Sequence, residues 1–337
     1  MNENLLYMGN DETLKWMYNG KSYCLHIQRD DRCEDPRTQD DAETLLTTMA
    51  CWHGQYTLGD SAATKGYTPE EFWQKLVREN VDPSEIYMTA AARQLPGIRV
   101  SPNKENSKLV DIYETTQLQT PLGDSDPSED LEYEGVPQTA VSEYLIDDLT
   151  IHHCMILMQP YAEWLPIWLY DHSGITVSCG ERTGQYADRW DSGQLGFIIM
   201  LKETAMKELV EFLLDEKGNP IRTKYPNGSM GYVTRPLTED TWRPRAIEVM
   251  KQDVLSYDQF LTDNVYGFTL YEADPVEKDE SPDWIEVDSC WGFYGSELHS
   301  NGILDHIGSE YGLQEVLASK DYEYGMAEKR VVVCYDF

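Results

Sequence analysis

One interval of the sequence limits the possible folds more than any other. No lysine or arginine occurs between Lys108 and Arg182, whereas fourteen aspartates and glutamates do. Its most acidic part, GDSDPSEDLEYEGVPQ at 123–138, is rich in turn formers and poor in aliphatic residues, which is typical of an exposed loop or a partly ordered insertion. We therefore predict an N-terminal α/β lobe at 1–96, an acidic, loop-rich insertion at 97–150 and a C-terminal α+β lobe at 151–337.

The whole chain is acidic and yet has the composition of a folded protein. Its 337 residues include 60 acidic and 27 basic ones, for a net charge of -33, together with 22 tyrosines and 9 tryptophans. A disordered acidic chain would be poor in such aromatic residues. The charge repels nucleic acid and anionic membranes and attracts basic surfaces. Because the sequence also lacks a GxxxxGK[ST] motif and a basic stripe, we expect no direct nucleic-acid binding and no membrane binding.

Periodicity and helix-start signals predict an α+β fold, with mainly antiparallel sheets and a few packed helices. KSYCLHIQ at 21–28 alternates as a strand does, and a helix is predicted after Thr68, where Pro69 and Glu71 complete a start signal. The other predicted elements are one or two strands within 154–171, strands at 174–179 and 192–201, a helix at 202–216 that Gly218 ends, a helix near 244–255, antiparallel strands at 264–272 and 283–295, a short helix near Ile303 and a final strand at 329–337.

The cysteines indicate a reducing compartment. There are seven, an odd number, and they are scattered through strand-like apolar segments, which favours reduced thiols in the cytoplasm over a disulfide framework. The first twenty residues do not have the pattern of a signal peptide, and no apolar run is long enough to span a bilayer. No CxxC or HExxH pattern occurs, so we expect neither a metal site nor a cofactor.

The segment WLYDHSGITVSC at 168–179 places an acid, a base and two nucleophiles close together as Asp171, His172, Ser173 and Cys179. In a strand, His172 would face away from its two neighbours, so these residues cannot form a local triad. Aspartate, serine and glycine are common in turns, and Gly174 supplies the conformation that a tight hairpin often needs. We predict a hairpin turn here.

Catalysis would require a cysteine and a histidine that meet in the fold. Cys51 with His53, or Cys290 with His172, could form such a pair. Neither lies in a specific local signature. A Cys/His-dependent enzyme is therefore the alternative interpretation, and its catalytic residues would be these four.

Five segments contain, in this order, the motifs CWHGQYTLGD, LYDHSGI, WDSGQLGFI, YDQFLTDNVYGF and DSCWGFYG. As an ordered set, over roughly 22–60 and 165–295, they resemble a family of uncharacterised acidic proteins encoded by phages, plasmids and conjugative elements of gut and soil bacteria. The resemblance implies no catalytic residue. It implies a genomic setting, because accessory proteins of mobile elements often act against host defence or regulate transfer.

These observations favour an interaction protein over an enzyme. The expected function is inhibition of a nucleic-acid-binding host defence protein, such as a restriction or CRISPR nuclease, by mimicry of nucleic-acid charge. An immunity-type protein that neutralises a basic toxin is a further alternative with the same acidic feature. The predicted contact residues lie in two acidic segments: Asp126, Glu129, Asp130, Glu132 and Glu134 in the first, and Glu277, Asp279, Glu280 and Asp283 in the second.

Overall fold

The computed structural model describes residues 11–38, 45–116, 128–188, 190–225, 230–274, 283–320 and 322–326. The fold is α+β with mostly antiparallel sheets, as predicted. The strands are β1 (Asp11–Tyr18), β2 (Lys21–Arg29), β3 (Thr48–Cys51), β4 (Ile98–Pro102), β5 (Leu109–Thr116), β6 (Ser128–Pro137), β7 (Ala162–Asp171), β8 (Ile175–Cys179), β9 (Ser192–Leu201), β10 (Val210–Phe212), β11 (Arg222–Lys224), β12 (Met230–Tyr232), β13 (Thr234–Pro236), β14 (Val265–Ala273), β15 (Ile285–Tyr294) and β16 (Glu323–Met326). The helices are α1 (Ser61–Thr64), α2 (Pro69–Asn80), α3 (Pro83–Ala91), α4 (Val141–Leu145), α5 (Ile151–Met158), α6 (Lys202–Glu208), α7 (Trp242–Leu261), α8 (Ile303–His306) and α9 (Leu313–Ser319).

A four-stranded sheet in the order β3-β9-β7-β8 has a hydrophobic core on each face. Successive residues of a strand point to opposite faces. Ile198 of β9 accordingly packs in the core under α7, and Ile199 packs in the core that contains α2 and α5. The sheet is therefore a central layer between helices.

A second sheet, in the order β4-β5-β6, closes the far side of the α2–α5 core. Val100, Ile112 and Val136, one from each strand, are buried in that core. The third large sheet, in the order β15-β14-β2-β1-β16, forms a separate core with α8 and α9. No helix in the described ranges is long and apolar enough to cross a membrane.

Local signals explain why α2 begins where it does. The Thr68 side chain accepts the backbone N–H of Glu71, and the Glu71 carboxylate accepts the backbone N–H of Thr68. This reciprocal capping box satisfies two N–H groups that the first turn of a helix cannot pair internally. Phe72 and Trp73 then bury their rings against the central sheet. The prediction of this helix is confirmed, as are the predictions of strands at 21–28, 264–272 and 283–295.

The segment 154–171, expected to contain one or two strands, contains one, β7. Its first residues, 154–158, belong to α5, which begins after Thr150, where the Thr150 hydroxyl accepts the N–H of His153. One predicted element is wrong. The helix expected at 202–216 ends at Glu208, because from Val210 onward the chain pairs with β13. The final strand expected at 329–337 lies outside the described residues.

Strand pairing crosses the predicted boundaries at residues 96 and 150. The N-terminal β2 pairs with β14, and β3 pairs with β9. The described part of 97–150 contains the β4-β5-β6 sheet and α4, so it is more regular than the loop-rich insertion that composition suggested. The division into three parts as folding units stays a prediction.

Candidate functional site

The turn between β7 and β8 is the hairpin that the sequence predicted. Asp171 pairs with Ile175, and the N–H of His172 donates to the carbonyl of Gly174 at 3.2 Å. Ser173 and Gly174 both have positive φ, at 61° and 144°, which glycine adopts without strain. The acid, the base and the serine of this segment are therefore turn residues, and no local triad forms.

The structure brings this hairpin together with two distant segments at one end of the central sheet. His53 follows β3, Asp171 ends β7, and Trp190 and Asp191 lie just before β9. The N–H of Asp171 donates to the Asp191 carbonyl at 2.8 Å, and His172 Nδ1 lies 3.3 Å from Asp191 Oδ2. Three of the five resembling segments thus meet where the strands end, a juxtaposition that depends on strand pairing and that the sequence alone did not indicate.

We call this place the hairpin cleft. It has a cavity of about 270 Å³ lined by His53, Asp171, Trp190, Asp191 and Gln194 with neighbouring residues. His53 also borders a second cavity of about 400 Å³ that Cys51 and Trp52 help to line. The hairpin cleft thus combines one imidazole, two carboxylates, an amide and an indole ring.

His53 has a defined hydrogen-bonding state. Its ring stacks on Tyr56, with 5.0 Å between the ring centroids. The backbone N–H groups of Gln55 and Tyr56 both donate to its Nδ1, at 3.3 Å and 3.2 Å. Because Nδ1 is an acceptor, the neutral ring carries its proton on Nε2. His53 therefore offers a single N–H donor, from Nε2.

The structure does not assemble the first Cys–His pair that the enzyme alternative requires. Cys51 is buried, and burial, with a smaller effect of the nearby Asp60 charge, raises the pKa of its thiol to about 12. A thiol with this pKa is protonated at neutral pH and is a poor nucleophile. No hydrogen bond joins Cys51 to His53 in the described part of the chain, although both residues line the 400 Å³ cavity.

The second pair is also separated. Cys290 lies on β15, in a different sheet from the hairpin that carries His172. The Cys290 thiol donates to the carbonyl of Trp291 at 3.8 Å, whereas His172 contacts Asp191. Of the residues that the structure describes, no three His, Cys, Asp or Glu side chains are grouped to hold a metal ion.

A second candidate site is an acidic patch that we call the acidic surface. Its exposed carboxylates come from β5, β6, α4 and the turn after α4: Glu114, Asp130, Glu132, Glu134, Glu143, Asp147 and Asp148. The hydroxyl of Tyr133 donates to Asp148 at 3.2 Å, and the Tyr133 ring contacts Tyr144 edge-on at 5.1 Å. These contacts join the strand to the helix, and Glu114, Glu132 and Asp148 line one cavity.

The acidic surface borders a cavity of about 330 Å³. Ile98, Ile112 and Leu145 supply apolar lining, and Glu132 and Asp148 supply carboxylates. At the edge of the surface Arg78 forms an ion pair with Asp147. The combination of apolar lining and carboxylates suits a long side chain with a positive end.

The predicted contact residues are distributed unevenly. Asp130, Glu132 and Glu134 lie exposed on β6, within the acidic surface. The position of Asp126 and the side chain of Glu129 are outside the described part. In the second acidic segment Asp283 is exposed, whereas Glu277, Asp279 and Glu280 also fall outside the described residues.

Several residues of these sites were not among the predicted ones. Four of them belong to the interval without lysine or arginine: Glu114, Glu143, Asp147 and Asp148. The absence of basic residues from that interval is the sequence signal that could have identified them. Trp190 and Asp191 lie within a resembling segment, but only the fold shows them beside His53. No family model, curated protein or solved structure matches this chain.

Proposed function

We propose that this protein is an acidic interaction protein that binds a basic, nucleic-acid-binding protein at the place where its nucleic acid would lie. The observation that carries the proposal is the acidic surface, where exposed carboxylates come from two paired strands and from the helix and turn that contact them. Nucleic acid presents a dense array of negative charges to its binding proteins. A folded surface that displays fixed carboxylates competes for the same lysines and arginines.

The scaffold supports this role because it holds the charges in place. Asp130, Glu132 and Glu134 are on a strand paired with β5, and β6 is tied to the turn after α4 through Tyr133 and Asp148. Preorganised charges lose less conformational entropy on binding than charges on a flexible tail. The surface therefore gains more from each contact than a disordered acidic segment would.

The proposed setting is the cytoplasm of a bacterium that carries a mobile element, and the proposed target is a host defence nuclease. This setting rests on the family resemblance. A basic toxin would present the same kind of surface, so an immunity-type protein is the same proposal with a different target. No observation favours the Cys/His-dependent enzyme, because neither pair is assembled.

The test is capture from host lysate at low and high salt, followed by identification of the partner and measurement of its nucleic-acid binding. We expect competition between this protein and nucleic acid, and a steep loss of binding as salt rises. A partner that binds nucleic acid equally well in the presence of this protein would contradict the proposal.

A matched pair of variants separates the acidic surface from net charge. One variant carries Glu132→Gln, Glu134→Gln and Glu143→Gln; the control carries Glu203→Gln, Glu216→Gln and Asp240→Asn, which are exposed elsewhere. Exposed ion pairs contribute up to about 1 kcal/mol each, so the first variant should bind about tenfold more weakly. The control should stay within about twofold of the unmodified protein. Equal losses in the two variants would mean that the location of the charges is irrelevant.

A further inference from the structure

The hairpin cleft has an exposed aromatic ring that the fold does not explain. Trp190 is 94% exposed, although tryptophan normally buries most of its surface. Other aromatic rings in this protein pair with its own arginines: Arg243 lies 4.5 Å from the ring centroid of Trp242, and Arg182 lies 5.2 Å from that of Trp168. In the described part of the chain no lysine or arginine lies over Trp190. Among the described residues, nothing cationic covers the face of its indole, which leaves it open to a cation from outside.

Two carboxylates line the same cavity as this ring, on backbone that the hairpin fixes. Asp171 closes the hairpin, and its N–H donates to the Asp191 carbonyl at 2.8 Å. His172 Nδ1 lies 3.3 Å from Asp191 Oδ2 and restricts that side chain. The described residues that line the 270 Å³ cavity include both carboxylates and no lysine or arginine. A ligand would therefore meet two carboxylates and an exposed indole ring around one cavity.

We infer that the hairpin cleft binds the cationic side chain of an arginine or lysine in a basic segment of another protein. The indole face attracts the cation by cation–π interaction, Asp171 and Asp191 lie beside it as carboxylate partners, and His53 Nε2–H is a donor for a carbonyl of the bound segment. The net charge of -33 favours a cation over a neutral or anionic ligand at any exposed site.

The hairpin cleft is separate from the acidic surface. Strand β7 runs from Ala162, which packs in the core beside α5, to Asp171 in the cleft. Its ten residues extend about 30 Å at ~3.3 Å per residue. The inference does not rest on nucleic-acid mimicry, because it depends on Trp190 and two carboxylates outside the acidic surface. A partner that used both sites would gain affinity from two contacts.

The test uses two short peptides that differ only in charge. Acetyl-Gly-Arg-Gly-amide is compared with the peptide that has citrulline in place of arginine, which retains the shape and lacks the charge. The protein is labelled with 5-fluorotryptophan, and its Trp190 fluorine resonance is assigned from the Trp190→Phe variant. The arginine peptide should shift this resonance saturably at about 1 to 10 mM, as expected for a small-fragment contact. The citrulline peptide should bind about tenfold more weakly.

Variants locate the contact. Asp171→Asn with Asp191→Asn should weaken arginine-peptide binding about fivefold or more, while the control pair Glu216→Gln with Asp240→Asn should leave it unchanged. Trp190→Ala should abolish binding, as measured by fluorine shifts at the other tryptophans. It should change the unfolding temperature by no more than about 1 °C, because the ring is exposed. Equal binding of the two peptides, or no saturable shift of Trp190, would overturn the inference. Neither result would affect the acidic-surface variants, so the two proposals fail separately.

Discussion

Two glycines of β9 show how a single residue controls the central sheet. A Cβ atom added to Gly196 would lie 1.9 Å from the backbone oxygen of Ala50 on the neighbouring β3. Gly193, three residues earlier in the same strand, has no atom within 4 Å of such a Cβ. Backbone cannot move aside as a flexible side chain can. Glycine is therefore required at 196 because two strands approach closely there, and the segment GQLG at 193–196 lies inside β9 rather than in a loop between a strand and a helix.

We predict that Gly196→Ala destabilises the protein and that Gly193→Ala does not. The added methyl group would separate β3 from β9, and overpacking of this kind costs about 1 to 3 kcal/mol. Urea unfolding followed by circular dichroism measures the difference. Gly193→Ala should stay within about 0.5 kcal/mol of the unmodified protein. Equal stabilities of the two variants would show that β3 and β9 are less closely packed than described.

At the scale of elements, the sequence was most informative where local chemistry decides the structure. The capping box at Thr68 and Glu71 specified the start of α2, and alternation specified β2. The apolar segment 154–171 was expected to contain one or two strands, and its pattern did not reveal that 154–158 is helical, because a short buried helix and a buried strand have the same composition. The helix after Lys202 was predicted too long because its end depends on pairing between β10 and β13, which is a tertiary contact.

The two candidate sites also differ in how far the sequence predicts them. The acidic surface was partly predictable, because charge is a property of composition and the interval between Lys108 and Arg182 is long. The hairpin cleft was not predictable as a unit. Its parts come from three segments that meet only because β3 and β7 both pair with β9. Such non-local pairing has no local sequence signal.

A buried carboxylate that joins β5 to β6 gives a prediction about pH. Asp111 Oδ1 accepts the side-chain N–H of Asn103 at 2.7 Å and the backbone N–H of Gly135 at 3.0 Å. These hydrogen bonds, that of Asn103 first, lower the pKa of Asp111. A lowered pKa in the folded state means that the ionised form stabilises the fold above the unfolded pKa, about 4. That stabilisation is lost as the pH falls through the folded pKa.

We therefore expect Asp111→Asn to be less stable than the unmodified protein at pH 7, and the difference to shrink as the pH falls from about 5 towards 2. Urea midpoints measured at several pH values give the difference directly. Glu134→Gln, on the exposed side of β6, is the control for loss of one negative charge. A stability difference that is constant with pH would rule out ionisation of Asp111 as its source.

At the scale of the whole molecule, the interior and the surface differ in whether their charged groups have partners. The Arg37 side chain is 3% exposed, and its guanidinium donates to both Asp60 carboxylate oxygens at 2.7 Å and to the Thr47 carbonyl at 2.9 Å. The buried charge of Arg37 is thus paired and hydrogen-bonded, as its desolvation requires. Most of the 60 acidic residues have no basic partner available, since the chain contains only 27 lysines and arginines. The excess is a surface property, and it opposes folding through self-repulsion.

This repulsion predicts that salt stabilises the protein even though salt weakens its individual surface ion pairs. Raising the salt concentration from 10 mM to 150 mM shortens the Debye length from about 30 Å to about 8 Å, which screens repulsion between distant carboxylates. Exposed pairs such as Arg78 with Asp147 lose little, because they contribute at most about 1 kcal/mol each. We expect the unfolding temperature to rise by about 2 °C or more, equivalent to ~1 kcal/mol for a chain of this size. Sodium and potassium chloride should give the same rise at equal ionic strength, whereas an ion bound at a specific site would make them differ. A fall in unfolding temperature with salt would show that attractive pairs outweigh the net charge of -33.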